Sequence, residues 1–174
     1  MAIEDLESWR RELLSSCDIV QYEDDTVSEE EAGRRYDRYV ELADLAEGAE
    51  GPEAVTALVA SLRAEEDYGA HQAVYGALER FPSLDRARGV VSAAPELLNL
   101  PIDNSGQVLQ LVAVLSSEEA LAEFSAALGR LEAETRQGLT ALIAQHEKDE
   151  WLADERAHGK LRAGKTDRAH PHPR

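Results

Sequence analysis

Apolar residues recur along this chain at intervals of three and four, the period of helices that bury one face. The pattern is clearest from Glu65 to Pro82, where Ala70, Ala73, Val74, Ala77, Leu78 and Phe81 share a side of a helix that Pro82 stops. Small residues on that stretch, Ala70, Ala73, Gly76 and Ala77, allow neighbouring helices to approach closely. The period predicts a first helix from Ala2 to Ser16, with Ile3, Leu6, Trp9, Leu13 and Cys17 in a stripe. Residues 18–27 break the period and read as a loop, apolar at its start and acidic at its end.

Ser28 and Glu31 have capping-box spacing and open a second helix, with Ala32, Tyr36, Tyr39, Val40, Ala43 and Ala46 inward until Gly48. Arg34, Arg35 and Arg38 stand where they pair with acids one helical turn away. Pro52 suits the first position of a third helix, whose Val55, Leu58, Val59 and Leu62 face inward. That helix is expected to end on the acidic triplet Glu65, Glu66 and Asp67. Beyond Pro82, Ser83 is expected to cap a helix carrying Leu84, Ala87, Val90 and Val91, and Pro95 to interrupt or restart it.

Pro101 to Gly106 is dense in turn formers and reads as a loop before Gln107–Leu115, a run with almost no polar face. Ser116 with Glu119 repeats the capping spacing, ahead of a stripe of Leu121, Phe124, Leu128 and Leu131. Leu139, Leu142, Ile143 and His146 mark the last core helix. No stretch keeps a strict two-residue alternation, so the expected fold is all-α. Short turns and helix pairs repeating at about 35–45 residues fit a short HEAT-like α-solenoid of about seven to nine helices. Residues 1–147 read as one helical domain and 148–174 as a charged extension with a disordered last dozen residues.

Charge changes this picture most. The chain holds 35 acids and 18 bases, for a net charge of -17. Residues 1–67 alone carry 20 acids and 6 bases. So negative a field repels the phosphate backbone of nucleic acids and the surface of anionic membranes, and a basic protein is the expected partner. Glu65, Glu66, Asp67 and Tyr68, with Glu23, Asp24 and Asp25 of the acidic loop, are the candidate partner-binding residues. Acids at a helix C-terminus oppose the macrodipole, so local stability does not account for Glu65 and Glu66. For Asp67 capping of the next helix stands beside partner binding, and for Tyr68 a core position stands beside an exposed one.

Chemistry offers little. His71 follows Asp67 by four residues and would make an acid-base pair only if both faced a pocket; a helix-surface position is expected instead. No spacing of cysteine or histidine fits zinc, no glycine pattern fits a phosphate loop, and no cofactor or enzymatic activity is expected. Cys17 is the single cysteine, so no intramolecular disulfide forms. The N-terminal residues carry neither a basic leader nor a long apolar run, which fits a soluble, cytoplasmic protein.

Glu65-Glu66-Asp67-Tyr68 runs into a helix ending Leu78-Glu79-Arg80-Phe81-Pro82; Ala94-Pro95 follows, then an apolar helix leading to Leu115-Ser116-Ser117-Glu118. Together these resemble the all-helical immunity proteins of bacterial polymorphic-toxin systems, of the type called immunity protein 30. The likeness runs from Glu50 to Gln145 or thereabouts and rests on helical patterns. It implies binding and neutralisation of a cognate toxin, a basic protein such as a nuclease. The alternative for the same helices is a HEAT-like adaptor that holds another bacterial protein.

Overall fold

The computed structural model describes residues 3–19 and 25–163. The described residues form nine helices and no strand, as the apolar period requires. In chain order they are α1 (Leu6–Ser16), α2 (Glu29–Asp44), α3 (Pro52–Ala60), α4 (His71–Arg80), α5 (Ser83–Ser92), α6 (Ala94–Leu97), α7 (Ile102–Leu115), α8 (Glu118–Arg130) and α9 (Ala133–Asp149). They pile up in two rows. One row runs α1, α3, α5, α8, each packed on the next, and the other runs α2, α4, α7. Packing between helices two or three apart in the chain is what stacked helical hairpins produce.

One apolar core runs the length of the stack, from Trp9 and Leu13 through Leu58, Leu78 and Leu109 to Phe124 and Leu139. Its tightest seam joins α3 to α5. A Cβ at Gly89 would lie 2.4 Å from Val55 Cβ and 2.6 Å from the Pro52 carbonyl, so only glycine fits there. Thr56 closes the seam by donating its hydroxyl to the Gly89 carbonyl, 3.0 Å away. Arg86 locks the next contact. Buried to 3 % exposure, its guanidinium donates to the carbonyls of Leu78 and Phe81 at the end of α4 and to that of Leu115 at the end of α7. Carbonyls that a helix leaves unpaired at its C-terminus carry partial negative charge, which is how a cation without a carboxylate partner is accommodated inside.

Several element ends differ from the sequence expectation. α1 starts at Leu6, because the Asp5 carboxylate accepts the N–H groups of Glu7 and Ser8 and caps it there. Ser28 caps α2 as expected, but Glu31 turns to Arg34 and Arg35. α5 begins at Ser83 itself, whose hydroxyl donates to the Leu115 carbonyl across the stack. Ser117, not Ser116, caps α8. The supposed loop from Pro101 to Gly106 is the opening turn of α7. Nor is α7 wrapped on all sides, since Leu115 is 44 % exposed.

The described part of the charged extension folds back onto the stack. Leu152, Ala157 and Leu161 are buried in the common core, and Glu147 accepts the Gly159 N–H at 2.8 Å. This strap, residues 150–163, lies against the start of α7. A Cβ on Gly106 would come within 2.2 Å of the Trp151 ring and 2.6 Å of His146.

Candidate functional site

α3 stops at Ala60, five residues before the acidic triplet expected at its end. Ser61 begins a turn instead, and residues 61–70 form an irregular connection to α4. Glu65 and Glu66 therefore sit on a loop, and the macrodipole of α3 does not oppose them. The early stop has one local and one tertiary cause. Arg63 donates its Nε–H to the Ala60 carbonyl at 2.9 Å, and Asn104 of α7 donates its amide to the carbonyls of Leu62 and Ala64, at 2.9 and 3.1 Å. Helix termination here is specified by a residue about forty positions away in the chain.

The far side of the loop is held as firmly. Tyr36 of α2 donates its hydroxyl to the Tyr68 carbonyl at 3.3 Å, and Tyr39 meets Ser61 Oγ at 2.9 Å. Tyr68 takes φ 49 and Gly69 φ 92, two consecutive left-handed residues that swing the chain into α4. Asp67 accepts the His71 N–H at 2.9 Å, so it supplies a cap at the start of α4, the structural one of the two roles weighed for it. Asp67 is half-buried, and Glu65 and Glu66 are exposed. Tyr68 is 45 % exposed, which decides against a core position.

The other candidate acids divide. Asp25 is exposed in the turn before α2, while Glu23 and Asp24 lie outside the described residues. Asp18 and Ile19, just past α1, line a shallow cavity of about 280 Å³ together with Arg63, Ala64 and Glu65. The end of α1 is thereby brought beside the acidic loop. Sequence reasoning missed Asn104 and Tyr36, whose roles lie in carbonyls they reach across the fold, and Arg63, which turns back to the Ala60 carbonyl three residues earlier. No local signal marks Asn104, because Asp, Asn and Ser are ordinary residues for the start of a helix.

His71 is not on the helix surface, as the sequence suggested. It is 2 % exposed, enclosed by the rings of Tyr39 and Tyr75 at 6.1 and 6.3 Å in edge-to-face contact. Its Nδ1 lies 3.8 Å from the Asp67 carboxylate, and its Nε2 is buried without a hydrogen-bond partner. Burial lowers its pKa from the ordinary 6.5 while Asp67 pulls the other way. The same desolvation raises both tyrosines. An imidazole so enclosed is a packed ring beneath the loop, its pKa lowered by burial.

Among the described residues, no three or more His, Cys, Asp or Glu converge to hold a metal ion, and no helix is long and apolar enough to cross a membrane. A second concavity, about 590 Å³ along the outer face of α9, is lined by Ala133, Gln137, Thr140, Ala141 and Ala144 beside Arg136. Its small, mostly uncharged lining offers no convergent acid, base or nucleophile. Comparisons with protein-family models, with curated proteins and with solved structures give no match for this chain.

Proposed function

We propose that this protein binds a basic protein partner through the acidic loop between α3 and α4, and that the partner is a toxin which the binding neutralises. One observation carries the binding reading: Glu65 and Glu66 are exposed on a loop whose backbone is pinned by Asn104, Tyr36 and Asp67. Carboxylates on a pre-ordered loop lose little conformational freedom on binding, so more of the attraction appears as affinity. The surrounding charge supports it. Residues 1–67 hold 20 of the 35 acids, and a lopsided field of this kind steers an oppositely charged partner and raises association rates. Tyr68, beside the two glutamates and 45 % exposed, supplies an aromatic anchor of the kind that dominates interface energetics. The toxin identity of the partner rests on the sequence resemblance to immunity proteins.

The test has two parts. The partner is captured from native lysate on the full-length protein, then expressed with and without it; a partner that kills alone and is silenced by co-expression is the expected result. A harmless partner overturns neutralisation and favours an adaptor. Charge reversal, Glu65→Lys with Glu66→Lys, is then expected to slow association and flatten its salt dependence, leaving thermal stability within about 0.5 kcal/mol because both sites are exposed. An unchanged association rate removes this loop from the interface.

A further inference from the structure

Three consecutive side chains at the start of α7 each reach a different part of the molecule. Asp103 accepts the indole N–H of Trp151, in the strap, at 3.0 Å. Asn104 donates to the Leu62 and Ala64 carbonyls under the acidic loop. Ser105 meets His146 Nε2, on α9, at 3.3 Å. The turn carrying them has no side-chain cap, since Pro101 stands at its N-cap position. First turns of helices fray unless capped or packed, because their N–H groups lack intrahelical acceptors. Here the tertiary anchors do that holding, and they share one turn of backbone.

We infer that the first turn of α7 is a mechanical junction through which the C-terminal strap sets the order of the acidic loop, with Asn104 as the positioning residue. Releasing Trp151 from Asp103 frees one side of the turn. The Asn104 amide then loses its fixed aim at two carbonyls that define where α3 stops. Gly106 adds to the coupling, because the Trp151 ring packs so closely on its Cα that the strap and the turn move together. Gln110, one turn further along α7, donates to the Trp151 carbonyl at 3.2 Å and fixes the strap on the same helix. A partner, ligand or covalent change that lifts the strap therefore loosens a loop on the far side of α7. The regulatory meaning of this coupling rests on the proposed role of the loop in binding, whereas the coupling itself needs no partner to be measured.

Hydrogen exchange of the full-length protein followed by mass spectrometry tests it. Asn104→Ala should speed exchange of amides in 61–70 roughly fivefold, the factor expected for losing about one neutral hydrogen bond. Trp151→Phe, which keeps a smaller aromatic ring and removes the N–H, and Asp103→Ala, at an exposed position, should each speed exchange in the same segment although the Trp151–Asp103 hydrogen bond lies outside it. Arg156→Ala is the control: it lies in the strap and, among the described residues, its side chain hydrogen-bonds Asp154 alone, so 61–70 should exchange at the wild-type rate. Faster exchange confined to 147–163 in both Trp151→Phe and Asp103→Ala overturns the junction, and so does an equal rise in 61–70 for Arg156→Ala. Neither outcome bears on whether Glu65 and Glu66 meet a partner, which the association measurement decides separately.

Discussion

The row of α3, α5 and α8 and the hairpin of α1 and α2 are held together in opposite ways. In the row, Ala54, Val55, Ala57, Leu58 and Val59 on α3 are all buried, and so are Ala87, Val90 and Val91 on α5; Gly89 lets the two helices touch. In the hairpin, α1 buries only Trp9 and Leu13 and α2 only Tyr39, Leu42 and Ala43, while most of the remaining surface is charged. Arg38 spans the pair, reaching Glu12 of α1 and Glu41 on its own helix with about half or more of each side chain in solvent. Dense packing tolerates almost no change in volume, whereas exposed ion pairs are each worth tenths of a kcal/mol. Stability thus sits in one region and charge in the other, and the acids can vary toward a partner with little cost to the fold.

The largest effect expected from this contrast is at the α3–α5 seam. Gly89→Val forces a branched side chain against Val55 and the Pro52 carbonyl, and overpacking of that order should cost about 3 kcal/mol in chemical denaturation. A loss under about 1 kcal/mol would mean that the seam yields, and that the row is no stiffer than the hairpin.

Acid gives the intermediate effect, at buried rings on α4 and α9, outside both regions. His71 on α4 packs against Tyr39 of α2, and His146 on α9 is buried with its Nδ1 unpartnered. Both have pKa values lowered from 6.5, His71 and His146 alike chiefly by burial. A lowered folded-state pKa means that the unfolded chain binds more protons, so stability rises with pH in this range and falls on acidification. The loss should begin near the unfolded value of 6.5 and finish once the folded values are passed. Salt-bridged or hydrogen-bonded carboxylates such as Glu12, Glu31 and Asp5 are lowered from 4.5 and 3.8, so their contributions fade only in more acid solution. Unfolding midpoints measured from pH 7.5 to 5 should decline, and a midpoint that climbs over this interval would show the buried rings to be protonated in the folded protein.

The smallest effect belongs to the hairpin surface. Arg38→Ala removes contacts to Glu12 and Glu41 yet should change stability by less than about 1 kcal/mol, and by less again in high salt. A larger, salt-insensitive loss would place real packing energy on α2 and weaken the contrast.

How far the chain announces this arrangement depends on the range of the interaction. The apolar period located the helices, Pro52 opened α3, and Ser28 capped α2, because each signal acts within a turn or two. Arg34, Arg35 and Arg38 found acids one turn away for the same reason. The end of α3 was misjudged because Asn104 lies across the fold, and the start of α7 was misjudged because Asp103, Asn104 and Ser105 look like a turn until Trp151, Leu62 and His146 are seen beside them. Of the candidate site, the adjacency of Glu65 to Tyr68 was legible since they are neighbours in the chain. What pins their loop was not, and neither was the burial of His71, which follows from α4 facing α2.

Cys17 draws one last consequence from the way α1 ends. Its thiol is wholly enclosed, donates to the Leu14 carbonyl at 3.2 Å, and has its pKa raised by burial. As the sole cysteine in the chain, it is a built-in reporter: an alkylating reagent gains access when the end of α1 opens from the stack. The labelling rate, read from intact mass without any engineered probe, measures how often that end of the molecule breathes.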